Sequence, residues 1–232
     1  RKKGIAKVNQ RMNRVAAEGL VCIYEKDNKF SMIELNSETD FVAKNNEFVN
    51  FAEEISRLGI DNLGDSQKIL DSKMRNKKNV KDNLVSLITK IGEKITLRRS
   101  VFIDNDKSIN FSYTHSSLKK NVGKLGVLLS LETTKPVNEI SALGKQLTMQ
   151  IAASAPLAID KEDLDKNLLS KEKEIITEEL KNSGKDIKII EKITVGKLNK
   201  FISENTLLNQ DWVMEPQKKV KDVIKEIAGK DN

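Results

Sequence analysis

Two short apolar runs, Leu20-Val21-Cys22-Ile23-Tyr24 and Phe30-Ser31-Met32-Ile33-Glu34-Leu35, are separated only by the polar stretch Glu25-Lys26-Asp27-Asn28-Lys29. β-Branched and aromatic side chains favour extended backbone, and so short a connector joins antiparallel neighbours, because a parallel crossover needs a dozen or more residues. A lone hairpin is marginal in water and needs a partner for its apolar face. The chain supplies one: Phe48, Phe51, Ala52, Ile55 and Leu58 recur at the three- and four-residue spacing of a helix stripe. A second helix is predicted through Leu84, Val85, Leu87, Ile88 and Ile91, and the segment from Ile95 to Ile103 alternates as a third strand.

The same order of elements then recurs. Phe111-Ser112-Tyr113-Thr114-His115, a basic turn and Leu125-Gly126-Val127-Leu128-Leu129-Ser130-Leu131 read as another antiparallel pair, followed by a helix carrying Ile140, Leu143, Leu147 and Ile151. No letter-for-letter repeat relates the halves. From Asp163 to Glu204 the composition turns to Lys, Glu, Leu and Ile, broken at Asn182-Ser183-Gly184-Lys185, which predicts an antiparallel helical hairpin. Pro216 punctuates the chain before an amphipathic helix with Val220, Val223, Ile224 and Ile227. The expected fold is α+β: two lobes, each a small antiparallel sheet with packed helices, plus a protruding antiparallel helical hairpin. The expected boundaries are a basic leading segment over 1–18, a first lobe over 19–104, a second over 105–217 including the hairpin at 163–204, and a C-terminal helix over 218–232.

Composition narrows the function classes. Hydrophobic residues make up 38% and charged residues 32% of the 232, with both signs mixed, as in folded globular proteins. Cys22 is the single cysteine and His115 the single histidine, which excludes thiolate zinc clusters and multi-histidine metal centres. The sequence contains no GxxxxGK[ST], GxGxxG or GxSxG, and no cofactor is expected. No apolar run of about 18 residues suggests a membrane span. A lone cysteine suits a reducing compartment. The net charge of +7 favours acidic surfaces without choosing among them.

The segment Thr39-Asp40-Phe41-Val42-Ala43-Lys44-Asn45 sets an aromatic ring beside a carboxylate between a strand and a helix. A backbone turn there would push Phe41 outward as an interface anchor; the alternative is that Phe41 tucks beneath its own lobe. This segment resembles the TDFVAKN signature of the elongation factor Ts family. Further stretches resemble that family in the same order: Arg1-Lys2-Lys3-Gly4, Val15-Ala16-Ala17-Glu18-Gly19, Lys90-Ile91-Gly92-Glu93 followed by Arg98-Arg99, Ser112-Tyr113-Thr114-His115, Gly126-Val127-Leu128, Ile151-Ala152-Ala153-Ser154 and Val213-Met214-Glu215-Pro216.

The resemblance implies a guanine nucleotide exchange factor for elongation factor Tu, acting by protein–protein contact and catalysing no bond chemistry. It implies that Thr39, Asp40, Phe41, Val42, Ala43, Lys44 and Asn45 form a loop inserted beside the partner's Mg²⁺ and phosphate site. It adds Ile91, Gly92, His115, Val213 and Met214 as further contacts; core packing competes for Ile91, and a half-buried strand position competes for His115. The setting it implies is the bacterial cytoplasm, with an organelle matrix open, and the assembly is one-to-one or two-plus-two, with self-association through the helical hairpin as one route. The family's N-terminal helical domain, with its TGAGMMDCKKAL-like motif, and its C-terminal strand with an RF pair are not in this sequence, so weaker binding and exchange than in a complete factor are expected. The Lys- and Asn-rich stretch between Lys73 and Lys81 suggests a longer connection than in familiar members. A rival reading is a basic RNA-binding protein, motivated by the charge and by Lys73-Met74-Arg75-Asn76-Lys77-Lys78. Stacking aromatics among those basic residues, or an RNA-binding motif, would be needed, and neither is found, so no direct nucleic-acid role is expected.

Overall fold

The first hairpin forms as the sequence demands. In a computed structural model, which describes residues 11, 13–181 and 186–229, β1 (Glu18–Lys26) and β2 (Lys29–Ser37) pair antiparallel from Glu18↔Ser37 to Lys26↔Lys29. Asp27 and Asn28 make the turn at positive φ, a conformation Asn and Asp tolerate better than other residues with a Cβ. Gly19 is required where β1 crosses β2: its φ is +136°, and a Cβ there would lie 2.2 Å from the carbonyl oxygen of Leu35.

Helices α1 (Asp40–Ala43), α2 (Asn46–Asp61), α3 (Ser66–Asp71) and α4 (Val80–Ile91) follow, and β3 (Thr96–Ile103) pairs with the outer edge of β2. Phe48, Ala52 and Ile55 of α2 are fully buried with Cys22, Ile33 and Leu35 in one core cluster. Burying side chains as large as Phe48, Ile55, Ile33 and Leu35 is worth about 1.5–3 kcal/mol each. The Lys- and Asn-rich stretch forms a bridged turn in which Lys73 pairs with Asn79, pinned inward by buried Met74, before α4 begins at Val80.

The second strand pair, β4 (Ser108–Lys119) and β5 (Val122–Glu132), forms as expected but extends the first sheet. β5 joins the free edge of β1 through Val21↔Gly123 and Cys22↔Val122, giving the order β3-β2-β1-β5-β4 among the described residues. The division between two compact units therefore falls at Thr133/Thr134, beyond the 104/105 boundary drawn from the sequence. The physical reason is that β1 has an edge to satisfy and β5 satisfies it, with Val122 and Cys22 almost fully buried at the join.

In the second unit, α5 (Val137–Ser154) packs against α8 (Val220–Ala228). Between them run α6 (Lys166–Lys181) and α7 (Ile187–Asn205), the expected hairpin, whose Ile176, Leu180, Ile190 and Ile193 form a core of their own. The break at 182–185, the residues 1–10 and 12 of the leading segment, and 230–232 lie outside the described residues. Pro216 does not break the chain. It sits in β7 (Glu215–Lys219), which pairs with β6 (Asp211–Trp212) as a two-stranded antiparallel sheet. Each unit thus has helices and an antiparallel sheet, the α+β class expected. Among the described residues no helix is long and apolar enough to cross a membrane.

Candidate partner-binding site

Residues 39–45, expected as a loop between a strand and a helix, include a single helical turn, α1, so the orientation of each side chain is set by helical phase. Val42 and Ala43 are buried in the core of the first unit. Successive residues are rotated by about 100° in a helix, so Asp40, Phe41 and Lys44 are carried to the other side. Phe41 is 79% exposed. The tucked arrangement is thereby excluded, and the ring stands in solvent.

Asp40 and Lys44 flank the ring as an i,i+4 ion pair at 3.2 Å. The Lys44 hydrogen bond, with a smaller contribution from the charge of Lys124 on β5, holds the Asp40 carboxyl below its ordinary value. Asn45 closes the turn: its N–H donates to the Val42 carbonyl at 2.9 Å. Its side chain caps α2, Oδ1 accepting from Glu47 N–H at 2.8 Å and Phe48 N–H at 3.4 Å.

The start of the turn is held from another part of the chain. Thr39 stands at the N-cap position but makes no cap bond. Its hydroxyl donates to Glu93 Oε1 at 2.7 Å, while the N–H groups of Glu38 and Thr39 donate to Glu93 Oε2 at 3.1 and 3.0 Å. Glu38 in turn accepts the Lys94 N–H at 2.6 Å. Gly92 makes this approach feasible: as the left-handed C-cap of α4, at φ 90°, it redirects the chain just before Glu93. Residues 39–45 and 91–92 are therefore neighbours.

The remaining sequence-derived positions are placed as follows. Ile91 is half-buried against the core of its unit, so its packing role is real. His115 is exposed on β4, opposite Leu125, with Nδ1 3.1 Å from the Tyr113 hydroxyl; it is not the half-buried strand histidine. Val213 and Met214 belong to the second unit, at the turn between β6 and β7, and are 51% and 46% exposed. Glu93 lies within the family-like stretch Lys90-Ile91-Gly92-Glu93, but nothing in the sequence gives it a role. Gln150, a buried side chain bonded to the Val213 backbone, is not singled out by the sequence motifs. A polar residue at a helix-stripe position was the available signal for Gln150. Among the described residues, no group of three or more His, Cys, Asp and Glu is set to hold a metal ion.

The family model for Elongation factor TS matches residues 38–230. Elongation factor Ts of Bartonella tribocorum is 38% identical over 227 residues, covering 97% of this chain and 74% of the relative. Elongation factor Ts of Methylorubrum populi is 38% identical, covering 99% of this chain and 75% of the relative. That of Gluconobacter oxydans is 34% identical, covering 99% and 76%. A single family model spanning both units, together with relatives of one name along nearly the whole length, leaves one assignment: the chain belongs to the elongation factor Ts family.

Proposed function

We propose that this protein is a guanine nucleotide exchange factor for elongation factor Tu, and that the Asp40–Phe41 turn inserts beside the partner's Mg²⁺ and phosphate site. Within a chain of this family, the observation that carries the reading is the 79% exposure of Phe41 on a turn whose other side is locked into the core. An exposed ring on a mobile tail would lose entropy on docking; a ring on an anchored turn loses much less. The reaction involves no covalent step. The turn competes with the contacts that hold Mg²⁺ and phosphate, and the nucleotide leaves. The family resemblance adds Ile91, Gly92, His115, Val213 and Met214 as gripping contacts, of which His115, Val213 and Met214 are exposed here.

Burying one Phe is worth about 1.5–3 kcal/mol, and about 1.4 kcal/mol is tenfold in rate. The ring alone then accounts for roughly one to two decades of faster release, and any larger acceleration draws on the rest of the interface. Coupling is reciprocal, so nucleotide and Mg²⁺ weaken the binding of this chain to its partner.

The test is stopped-flow release of a fluorescent GDP analogue from elongation factor Tu, with wild type and Phe41→Ala in parallel. Acceleration by wild type that falls by about tenfold or more in the variant is the expected result. Equal acceleration by both would remove the ring from the mechanism, and no acceleration by wild type would remove the exchange activity.

A further inference from the structure

We propose that Glu93 is the positioning residue of the Phe41 turn: its carboxylate brackets Glu38 and Thr39 and holds the one-turn helix in the orientation that presents the ring. The structural half stands on the free chain alone, and the functional half rests on the exchange reading above.

A four-residue helix has no stability of its own, because nucleation fixes several dihedrals for a single hydrogen bond. Its orientation must come from outside. The underside is held by Val42 and Ala43, and the C-terminal end by Asn45, which caps α2. The N-terminal end is held by Glu93, whose two oxygens accept three bonds of 2.7–3.1 Å from two consecutive residues, with one further bond from the buried Ser37 hydroxyl to the Thr39 carbonyl at 2.9 Å. Hydrogen bonds to an ionised acceptor are about twice as strong as neutral ones. The return bond, from Lys94 N–H to Glu38 Oε1 at 2.6 Å, makes the bracket reciprocal across more than 50 residues of sequence.

The bracket also lies one residue beyond Gly92. It fixes the segment carrying Ile91 and Gly92 to the segment carrying Asp40 and Phe41, so two stretches distant in sequence move as one surface. Removing the Glu93 side chain leaves Val42, Ala43 and the Asn45 cap in place, so the unit still folds, while the N-terminal end of the turn keeps only the Lys94 N–H on Glu38 and the Ser37 hydroxyl on the Thr39 carbonyl and loses its three bonds to the carboxylate.

The test joins two measurements on Glu93→Ala and Glu93→Gln. In the free protein, hydrogen exchange at the Glu38 and Thr39 amides should quicken by about tenfold in Glu93→Ala, with Ile33 and Leu35 in β2 unchanged. In the stopped-flow assay, maximal GDP release should fall by about tenfold, equivalent to ~1.4 kcal/mol. The same substitution placed in Phe41→Ala should cost less than about twofold more, because the residue it positions is already gone. Glu93→Gln keeps an acceptor oxygen for the two amides and should stay within about threefold of wild type.

Unchanged protection at Glu38 and Thr39 overturns the proposal whatever release does. So do additive losses in the double variant, a release rate insensitive to Glu93→Ala while Phe41→Ala slows it, or equal losses in Gln and Ala, which would assign the role to charge. If protection falls but wild type does not accelerate release, the exchange reading fails and the bracket is supported.

Discussion

The side-chain oxygen of Gln150 accepts the backbone N–H of Val213 at 2.8 Å. Its amide nitrogen lies 3.2 Å from both Gln210 Oε1 and the Asp211 carbonyl, and 3.1 Å from Ser154 Oγ. Gln210 donates to the Glu204 carbonyl at 2.8 Å. Two buried amides thus tie the end of α5 and the end of α7 to the turn that carries Val213 and Met214. Gln150→Leu keeps the approximate size but orphans the Val213 N–H and the Gln210 oxygen. Each buried polar group left unmet costs about 1–3 kcal/mol. With the Gln210 oxygen buried and Val213 about half exposed, we expect a loss of about 1–3 kcal/mol in urea unfolding, with faster hydrogen exchange at Val213. A change below about 0.5 kcal/mol would show that the network contributes little.

Phe41 and Phe48 are seven residues apart and should respond oppositely to truncation. Phe48 is 0% exposed in the core and Phe41 is 79% exposed. Phe48→Ala is expected to cost about 3–5 kcal/mol, whereas Phe41→Ala should stay within about 0.5 kcal/mol of wild type. Denaturant midpoints of the two variants decide the matter, since a Phe41→Ala loss comparable to that of Phe48→Ala would mean that the ring is packed in solution.

The contrast between these two rings marks where the sequence was legible. Phe48 belongs to a helix stripe with Phe51, Ala52 and Ile55, and the 3.6-residue period alone assigned it to the core. Phe41 lies in a four-residue turn, too short for any period, so its direction could not be read from spacing; the family resemblance singled it out. The two hairpins were readable because their connectors are short. The pairing of Cys22 with Val122 was not, because nothing local in either strand names a partner 100 residues away. Glu93 shares that difficulty: a carboxylate near Gly92 looks like many surface residues until the fold brings Glu38 and Thr39 to it.

Gly59 lies where α2 presses on β2. A Cβ added there would sit 1.8 Å from Ser31 Oγ and 2.9 Å from Ser31 Cβ. Two effects oppose one another in Gly59→Ala. Helix propensity favours Ala by about 0.8–1 kcal/mol, while overpacking costs about 1–3 kcal/mol. The Ser31 side chain is fully buried in a strand paired on both sides, so it cannot retreat cheaply and the clash should win. Gly59→Ala is expected to be destabilised, and Ser31→Gly to relieve part of that loss. A double-mutant cycle showing favourable coupling of about 1 kcal/mol or more would confirm the contact; additive effects would mean that α2 shifts aside at little cost.

Cys22 supplies a pH-dependent test of the join between β1 and β5. Burial pushes its thiol from the ordinary value near 9 up to about 11, against a smaller opposing effect of the Ser56 hydroxyl 3.4 Å away. For an acid whose folded pKa is raised, the unfolded chain loses its proton first, so the folded state binds more protons between the two values. Stability is then fully present below about pH 9 and is lost as pH rises towards about 11, by about 1.4 kcal/mol for each pH unit. Other side chains titrate in the same range, so the measurement is the difference between urea-unfolding curves of wild type and Cys22→Ala across pH 8.5–11, a range chosen to span the two pKa values. The variant should start less stable, because a small cavity replaces the sulfur, and the gap should narrow as pH rises. In the same protein a disulfide reagent at pH 8 should label Cys22 only as fast as the sheet opens. Immediate labelling, or a gap independent of pH, would mean that the thiol is reachable by solvent and that β5 does not seal the edge of β1.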